Sequence, residues 1–334
     1  MSEQSLLLQA FDGTNKTVPV WFMRQAGRYL PEYQQIKERY PLNEMFRIPE
    51  LAAEITCQPI AILGVDAAIL FADILTLPQA MGFDITFDNQ KGPVIERAGD
   101  FKQIRDFDNL DYVAQTIKLV LQKLPVQIPL IGFAGGPFTV ATYLIEGGSS
   151  VNFTRTLRFI QTQEQQFQQL MTRLTDNTIR YLQLQIDAGI AVYQLFDSWA
   201  GILRPVDYAK YVLPHVQRIF SSLEHPSIYF LKNTNHLLPL MAQCGADFLS
   251  VDHTVVLGHE RVIDKTEKGI QGNLFNGLLY ADTERLRREV TDVLIGGRKH
   301  GRYIFNLSHG IFPDVEVDKL KWIVEQVHQF PWSS

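Results

Sequence analysis

Cysteine is nearly absent from this chain: only Cys57 and Cys244 occur among its 334 residues. They lie far apart and in no metal-binding spacing such as Cys-x-x-Cys. The sequence therefore predicts neither a disulfide scaffold nor a cysteine metal site. So few cysteines are typical of a reducing compartment, and we expect a cytoplasmic protein.

Long apolar runs and long basic runs are missing as well. No uninterrupted apolar run approaches the ~18 residues of a membrane helix, and Leu6-Leu7-Leu8 is too short for the core of a secretion signal. The net charge is −5, from 31 basic and 36 acidic residues, whereas non-specific nucleic-acid binding needs a broad positive surface. We expect neither a membrane nor a nucleic-acid partner, although a few local arginines would suffice to hold a small anion.

What the chain does contain is an alternation of short apolar runs with longer helix-like stretches. The runs are apolar on both sides, as expected of buried parallel strands. The predicted strands are residues 19–23, 67–71, 129–133, 190–196, 227–231, 247–251, 269–272 and 303–306. The predicted helical stretches are residues 48–63, 109–124, 152–187, 205–223, 237–244, 283–294 and 315–328.

Eight such units at this length predict a single-domain (β/α)8 TIM barrel over residues 1–334, with the active site at the carboxyl ends of the strands. The alternative is a doubly wound open sheet. That fold would usually carry a glycine-rich phosphate-binding turn after its first strand, and no such turn follows Met23.

A weak internal repeat supports the barrel. Three times a glycine suited to a left-handed helix cap precedes a strand that ends in aspartate. The repeats run from Gly64 to Asp73, from Gly189 to Asp197 and from Gly245 to Asp252. Polar residues at the carboxyl ends of barrel strands are catalytic candidates. We interpret Asp197 and Asp252 as rim residues that hydrogen-bond within the barrel, which leaves Asp73 as the stronger candidate.

Polar or charged side chains follow most of the predicted strands, and the barrel topology would bring them to one mouth. In chain order these positions are Arg24 and Arg28, Asp73, Gly135-Gly136-Pro137, Asp197 and Ser198, Lys232, Asp252 and His253, Asn273, and Ser308 and His309. An arginine side chain is a planar, permanently charged fork that suits bidentate binding of carboxylate or phosphate. Because arginine is mostly exposed, Arg24 and Arg28 could equally pair with acidic neighbours on the surface.

The remaining candidates also have structural alternatives. Asp73 could cap a following helical turn. Ser198 could be an N-cap residue, and His309 could serve only the turn that contains it. Tyr143 is either a core aromatic residue with a satisfied hydroxyl group or a hydrogen-bond donor at the rim.

The turn Gly135-Gly136-Pro137 does not fit a P-loop, which needs Gly-Lys-Ser/Thr, and Pro137 has no N–H to offer. We predict instead a bend that lets a ligand approach the backbone closely. No Gly-x-Ser-x-Gly or His-x-Cys pattern occurs. Arginines, an aspartate, a tyrosine, a serine and a histidine together suit a polyanion bound by charge and hydrogen bonds, without metal, cofactor or covalent attachment.

Several of these segments resemble the uroporphyrinogen decarboxylase family. Arg24-Gln25-Ala26-Gly27-Arg28-Tyr29-Leu30-Pro31-Glu32-Tyr33 is similar, nearly letter for letter, to the most distinctive motif of that family. Further matches are Phe71-Ala72-Asp73-Ile74-Leu75-Thr76, Gly135-Gly136-Pro137-Phe138-Thr139, Phe196-Asp197-Ser198-Trp199-Ala200-Gly201, Gln271-Gly272-Asn273-Leu274, and Phe305-Asn306-Leu307 with His309-Gly310. The motifs occur in the family's order and span nearly the whole chain.

The resemblance implies a distorted (β/α)8 barrel, usually a homodimer, with the substrate in a deep cleft at the carboxyl ends of the strands. It implies removal of the four acetate carboxyl groups of uroporphyrinogen III, which gives coproporphyrinogen III and carbon dioxide in haem biosynthesis, without cofactor or metal. By motif, Arg24-Gln25-Ala26-Gly27-Arg28 binds substrate carboxylates. Asp73 faces the pyrrole N–H groups and stabilises the transition state, and Tyr143, Ser198 and His309 supply further contacts.

Two segments depart from the family's pattern. Asn273-Leu274-Phe275-Asn276 stands where Asn-Leu-Asp-Pro is usual, and Asn306-Leu307-Ser308-His309-Gly310 stands in place of Asn-Leu-Gly-His-Gly. These differences bear on the contact made by His309 and leave the arginine motif and Asp73 untouched.

Two other functions are compatible with the same fold. A corrinoid-dependent methyltransferase needs a thiolate-binding zinc, and Cys57 and Cys244 lack the His-x-Cys spacing for it. A non-catalytic tetrapyrrole-binding protein is the other alternative, and the intact Arg24, Arg28 and Asp73 argue against it.

Overall fold

The computed structural model describes residues 5–88, 92–96, 98–99, 101, 104–258 and 267–332. Within them the strands are β1 (Ala68–Ile69), β2 (Ile85–Asp88), β3 (Gly92–Ile95), β4 (Leu130–Gly135), β5 (Val192–Phe196), β6 (Ser227–Phe230), β7 (Phe248–Ser250), β8 (Gly269–Leu274) and β9 (Tyr303–Leu307). Seven of these form one curled sheet in the order β1-β4-β5-β6-β7-β8-β9, and every neighbouring pair is parallel. Strands β2 and β3 form a separate antiparallel hairpin.

Helices follow the strands and cover the outer face of the sheet. They are α1 (Leu6–Asp12), α2 (Pro31–Lys37), α3 (Leu42–Arg47), α4 (Pro49–Leu63), α5 (Thr76–Ala80), α6 (Asp111–Lys123), α7 (Pro137–Glu146), α8 (Thr154–Thr162), α9 (Glu164–Ala188), α10 (Pro205–Tyr211), α11 (Leu213–Ser222), α12 (Leu238–Met241), α13 (Thr283–Arg298) and α14 (Val317–Gln329). Two short 3₁₀ helices lie at Ala200–Ile202 and Asn276–Tyr280. Within the described parts of the chain, no helix has both the length and the hydropathy needed to cross a membrane.

Seven of the eight predicted strands are confirmed, and the first is only strand-like. Residues 19–23 form a single bridge, between Val20 and Phe305 of β9. On the other side, the backbone N–H of Val20 donates to the Asp66 carboxylate at 2.7 Å, and the carbonyl of Val20 accepts from the Asp66 N–H at 2.8 Å. The segment thus lies between β9 and the start of β1 and closes the sheet into a distorted (β/α)8 barrel.

The helical predictions differ from the structure mainly at internal breaks. The predicted stretch 152–187 is two helices that meet at Gln163, and the stretch 205–223 is broken at Val212. Pro214 explains the second break, because proline has no N–H for a continuous helix and fits only its first turn. Helices α1, α2, α3, α5 and α7 and the β2–β3 hairpin were not predicted.

The glycines of the internal repeat behave as expected. Gly64 and Gly189 end α4 and α9 in the left-handed conformation, with φ of 71° and 110°. Gly245, with φ of 101°, lies in the turn between α12 and β7. Each allows the chain to leave a helix and enter the next strand without a steric penalty.

A buried layer of hydrogen-bonded side chains crosses the inside of the barrel. Trp21 donates through Nε1 to Oε1 of Gln271 at 3.0 Å, and Gln271 donates to Gln194 at 3.0 Å and to Ser250 at 2.8 Å. All four side chains are fully buried. This polar layer lies below the carboxyl ends of the strands, where the candidate site residues are.

Candidate active site

Arg24 lies in the turn that follows the strand-like segment 19–23, and its side chain is exposed. The positive charge of Arg24 affects the pKa values of three predicted site residues. Burial raises the pKa values of Asp73 and Tyr143 and lowers that of His309, and in each case the positive charge of Arg24 acts to lower the pKa. Arg24 therefore lies among Asp73, Tyr143 and His309, as the barrel topology predicted.

Arg28 lies farther along the same loop and is also exposed. Burial raises the pKa of Tyr33 on α2, and the charge of Arg28 opposes that rise. Tyr33 in turn packs edge-on against Phe71, with ring centroids 5.9 Å apart. The two arginines are thus not equivalent: the charge of Arg24 acts on Asp73, Tyr143 and His309, whereas that of Arg28 acts on Tyr33, which packs against the segment that leads to Asp73.

Gln25 is fully buried and holds the arginine loop to the sheet. Its Oε1 accepts from the N–H of Phe22 at 3.0 Å, and its Nε2 donates to the carbonyl of Ala67 at 2.9 Å. The side chain of Gln25 is therefore used within the protein. Any contact of the segment from Gln25 to Gly27 with a ligand would come from the backbone or from the partly buried Ala26 and Gly27.

Asp73 follows β1 and is half-buried. Its Oδ1 accepts from the backbone N–H of Leu75 at 2.8 Å, so it does cap the turn that leads into α5. Within the described residues, its Oδ2 accepts no hydrogen bond from the protein. Burial raises the pKa of Asp73, and the Leu75 N–H and the charge of Arg24 oppose that rise. One carboxylate oxygen thus has a structural role, and the other is available to a ligand.

The bend at Gly135 and Gly136 was predicted to let a ligand approach the backbone closely. In the structure the groups nearest to the two Cβ positions are protein side chains, Val140 at Gly135 and Asp197 at Gly136. A Cβ on Gly136 would lie 2.5 Å from the Cβ of Asp197 and 2.7 Å from its Oδ1. This close approach lets Asp197 accept hydrogen bonds from the N–H and hydroxyl of Thr139, at 2.8 and 2.7 Å. Burial raises the pKa of Asp197 to about 6, although the hydrogen bonds from Thr139 act to lower it. The interpretation of Asp197 as a rim residue is confirmed.

Tyr143 lies on α7, which starts at the end of β4 and passes beside the mouth. Its ring stacks on Trp199, with centroids 3.9 Å apart and planes 29° apart. Burial raises the pKa of Tyr143, and the negative charge of Asp73 adds to the rise. The hydroxyl of Tyr143 is thus near Asp73, and Trp199, which the sequence reasoning did not single out, fixes the ring.

Ser198 and Asp252 each lie two residues after the end of a strand, β5 and β7 respectively, but they differ in their hydrogen bonding. Ser198 is partly exposed beside Trp199. Asp252 accepts from the N–H groups of Asn233 and Thr234, at 2.8 and 3.2 Å, and from the hydroxyls of Thr234 and Thr254. The carboxylate of Asp252 therefore forms its hydrogen bonds within the protein, as predicted, whereas Ser198 is partly accessible to solvent.

His309 lies in the loop after β9, close to two cations. Burial is the main cause that lowers its pKa to about 4, and Arg24 and Lys232 add to the effect while Asp252 opposes it. His309 is therefore neutral near pH 7 and can contribute hydrogen bonds but no positive charge. Lys232, at the end of β6, is exposed and adds a second cation to the mouth.

Aromatic rings line the top of the barrel beneath these polar groups. Phe133 packs edge-on against Phe196 at 5.5 Å between centroids, Phe196 against Phe230 at 5.7 Å, and Phe230 lies 6.4 Å from His309. Phe196 and Phe230 are register partners on β5 and β6. The mouth thus has an aromatic floor, a half-buried carboxylate and cations at the rim, which suits a flat, multiply anionic ligand.

No group of three or more His, Cys, Asp or Glu side chains among the described residues could hold a metal ion. Cys244 is buried in the turn before β7, on the opposite side of the sheet from the mouth, and Cys57 lies half-buried on α4. The structure thus brings Arg24, Asp73, Tyr143 and His309 together. Ser198 adjoins Trp199, which stacks on Tyr143, and Arg28 lies near Tyr33.

Comparison with known proteins gives a consistent result over the full chain. The family model for uroporphyrinogen decarboxylase (URO-D) matches residues 2–330. The uroporphyrinogen decarboxylase of Thermodesulfovibrio yellowstonii is 44% identical over 319 residues, which cover 93% of this chain and 94% of that protein. That of Carboxydothermus hydrogenoformans is 42% identical over 321 residues, covering 93% and 92%.

Among solved structures, a methyltransferase from Methanosarcina mazei superposes with a TM-score of 0.79, over 97% of this chain and 98% of that chain. The sequence identity is 22%. A likeness at that identity concerns the fold alone and supports the distorted (β/α)8 barrel.

Proposed function

Because the chain belongs to the uroporphyrinogen decarboxylase family, we propose that it removes the four acetate carboxyl groups of uroporphyrinogen III. The products would be coproporphyrinogen III and four molecules of carbon dioxide, in porphyrin and haem biosynthesis. The protein is then a carboxy-lyase, and we propose that residues 1–334 form one catalytic domain that works without metal or cofactor. The observation that carries the residue assignment is the half-buried Asp73 beside Arg24 and Tyr143, because one of its oxygens accepts no hydrogen bond from the part of the chain that the structure describes.

The chemistry requires an electron sink. Loss of carbon dioxide from a pyrrole acetate leaves a carbanion, and protonation of a pyrrole carbon first converts the ring into a cation that can accept those electrons. A carboxylate about 4 Å from that cation gains about 4 kcal/mol at an effective dielectric constant of 20. This corresponds to roughly three powers of ten in rate. Asp73 would supply this carboxylate and hold the inward-facing pyrrole N–H groups before the reaction begins.

Asp73 must be ionised for this role. Burial raises its pKa, which disfavours the charged form, whereas the Leu75 N–H and the Arg24 charge favour it. We propose that the carboxylate is charged at neutral pH and that substrate N–H groups, once bound to its free oxygen, stabilise the charge further. Activity should then be full above the pKa of Asp73 and fall as the pH drops through it.

The remaining residues would bind the substrate's carboxylates and ring. Arg24 would pair with a carboxylate near the centre of the mouth, and Arg28 with one at the edge. Tyr143 and Ser198 would donate hydroxyl hydrogen bonds, and the neutral His309 would supply a hydrogen bond without adding charge. The backbone of Gln25, Ala26 and Gly27 would complete the carboxylate contacts.

We also propose a cytoplasmic homodimer. Support for an interface comes from apolar exposure in the loops after β7 and β8, where Val256 is 62% and Phe275 45% exposed. The ring of Phe275 packs against the exposed His253, with centroids 4.6 Å apart. Two free cysteines fit a reducing compartment. Sedimentation of the wild type and of Phe275→Asp would test this: a monomeric wild type refutes the dimer.

The decisive experiment is anaerobic incubation of the purified protein with uroporphyrinogen III, without added metal or corrinoid. Stepwise loss of carboxyl groups to coproporphyrinogen supports the proposal. Tight binding without turnover would indicate the non-catalytic tetrapyrrole-binding alternative. Activity that appears only with a corrinoid methyl donor and zinc would indicate the methyltransferase alternative.

A further inference from the structure

Arg24 has a backbone conformation that residues with a side chain rarely adopt. Its φ is +58°, in the left-handed region, where a non-glycine residue costs on the order of 1–3 kcal/mol. Among the described residues, only Phe153 and Asn233 share a positive φ without being glycine. Strain of this kind persists only where surrounding contacts hold it. The contacts around Arg24 therefore show which groups hold its backbone and its side chain in place.

The backbone just before Arg24 is held by β9 and the loop that follows it. The N–H of Met23 donates to Oδ1 of Asn306 at 3.0 Å, and the carbonyl of Met23 accepts from the N–H of Ile311 at 3.1 Å. Asn306 is fully buried, and its Oδ1 also accepts from the N–H of Leu307 at 2.8 Å. Its Nδ2 has no hydrogen-bond acceptor among the described residues. Both polar groups of Met23 are thus bonded to residues 306–311.

Gly310 lies in the same loop, directly against the side chain of Arg24. A Cβ on residue 310 would come within 2.7 Å of Cγ and 3.1 Å of Cβ of Arg24, and closer still to Cδ. These three atoms of Arg24 are the nearest that such a Cβ would meet. The carbonyl of Gly310 accepts from Nδ2 of Asn276 at 3.2 Å, which fixes the loop backbone.

Backbone conformation does not explain the glycine at position 310. Gly310 is not among the glycines with positive φ, so another residue could adopt its backbone angles. Residue 310 is instead limited to glycine by space, because the aliphatic part of the Arg24 side chain takes the place that a Cβ atom would need. That part lies directly against Gly310, and the charge that it carries at its end acts on Asp73 and Tyr143.

We propose that Gly310 is a positioning residue: by leaving room for the stem of Arg24, it aims the guanidinium at the substrate carboxylate in the centre of the mouth. This inference rests on the proposed function only in the role it assigns to Arg24. Gly310 itself need not touch the substrate.

The test is a double-mutant cycle with Gly310→Ala and Arg24→Gly. Gly310→Ala should keep the melting temperature within about 4 °C, because the added methyl group meets a flexible stem. It should lower kcat/KM for uroporphyrinogen III at least about tenfold, as expected when a charge-assisted hydrogen bond is misaligned. In the Arg24→Gly background Gly310→Ala should have no further effect. In the matched Arg28→Gln background it should keep its full effect.

A second readout does not depend on activity. The pKa of His309, followed by NMR, should rise in Gly310→Ala because the Arg24 charge moves away while Lys232 and Asp252 stay. The Arg24→Gly background measures any direct effect of the new methyl group on its neighbour His309. The proposal would be overturned if Gly310→Ala shifted the pKa of His309 equally in the wild-type and the Arg24→Gly backgrounds. It would also be overturned if Gly310→Ala left kcat/KM unchanged while Arg24→Gly lowered it strongly.

Failure to fold is also informative. If Gly310→Ala alone is unstable, adding Arg24→Gly should restore the fold, because the stem that the methyl group meets is then absent. A double variant that stays unfolded would refute the proposal. A wild type inactive toward uroporphyrinogen would refute the proposed function instead, and the folding and NMR results would still decide whether Gly310 positions Arg24.

Discussion

Replacing Asp73 by asparagine removes one charge and almost nothing else. The side chain keeps its shape, and its carbonyl oxygen can still accept from the N–H of Leu75, which is 2.8 Å from Oδ1. Since burial raises the pKa of Asp73, the charged form is disfavoured by its surroundings, and a neutral amide should be at least as stable. We therefore expect Asp73→Asn to fold with an unchanged or slightly higher melting temperature.

The expected loss of activity follows from the role of the charge. A carboxylate about 4 Å from a cationic pyrrole ring contributes about 4 kcal/mol at an effective dielectric constant of 20, and every 1.36 kcal/mol is about tenfold in rate. Asp73→Asn should thus lower kcat by roughly 10³. The substrate should still bind, because the carboxylate contacts of the arginines remain.

The assay is anaerobic turnover of uroporphyrinogen, with the products oxidised to porphyrins and separated by carboxyl number. Asp84→Asn is the matched control, because it removes the same charge from an exposed position outside the mouth; its kcat should equal that of the wild type. In the wild type, kcat/KM should fall as the pH drops through the pKa of Asp73, at a higher pH than the ordinary aspartate value of about 3.9. A wild-type-like kcat in Asp73→Asn would remove Asp73 from the mechanism.

Three further substitutions test neighbouring parts of the structure. Tyr143→Phe keeps the ring stack and should lower kcat/KM about fivefold without changing the melting temperature, the effect of losing one hydroxyl contact worth ~1 kcal/mol. Arg24→Gly should raise the free energy of unfolding in urea by up to about 1 kcal/mol by relieving the left-handed backbone, yet lower kcat/KM at least tenfold; lower stability would contradict the strain argument. The hydrogen bond that Nε2 of His328 donates to the Asp66 carboxylate raises the pKa of His328. The stabilisation from this bond is therefore complete below the ordinary histidine pKa of about 6.5 and disappears as the pH rises through the folded-state value. The melting temperature of the wild type minus that of His328→Ala should therefore shrink from pH 5 to pH 9, and a constant difference would refute this linkage.

Most of the barrel could be predicted from the sequence, because burial on both faces of a parallel strand leaves an apolar run. The first strand shows where that signal stops. Residues 19–23 are as apolar as the others, but Val20 donates its N–H to the side chain of Asp66 rather than to a neighbouring strand. The hydrophobicity of a segment indicates that it is buried, but it does not indicate which groups form hydrogen bonds with its backbone N–H and C=O groups.

The prediction that Gly135-Gly136 allows a ligand to approach the backbone differs from the structure for a similar physical reason. A glycine signals that something approaches the backbone closely, but not whether that is a ligand or a side chain. Here the approaching group at Gly136 is Asp197, from 61 positions farther along the chain. Trp199 was missed for the same reason: its stacking on Tyr143 joins two elements that the sequence does not show to be neighbours.

For the three aspartates of the internal repeat, the structure supplies the hydrogen bonds behind a distinction that the sequence predicted. All three follow a parallel strand at the same end of the barrel, so their positions alone do not show which carboxylate is free to bind a ligand. Asp197 accepts from Thr139 twice and from a tyrosine hydroxyl, and Asp252 accepts four hydrogen bonds. Among the described residues, Asp73 accepts one, from Leu75. A carboxylate whose lone pairs are already satisfied has little left for a substrate, so the aspartate with the fewest protein donors is the one that can bind the pyrrole N–H groups.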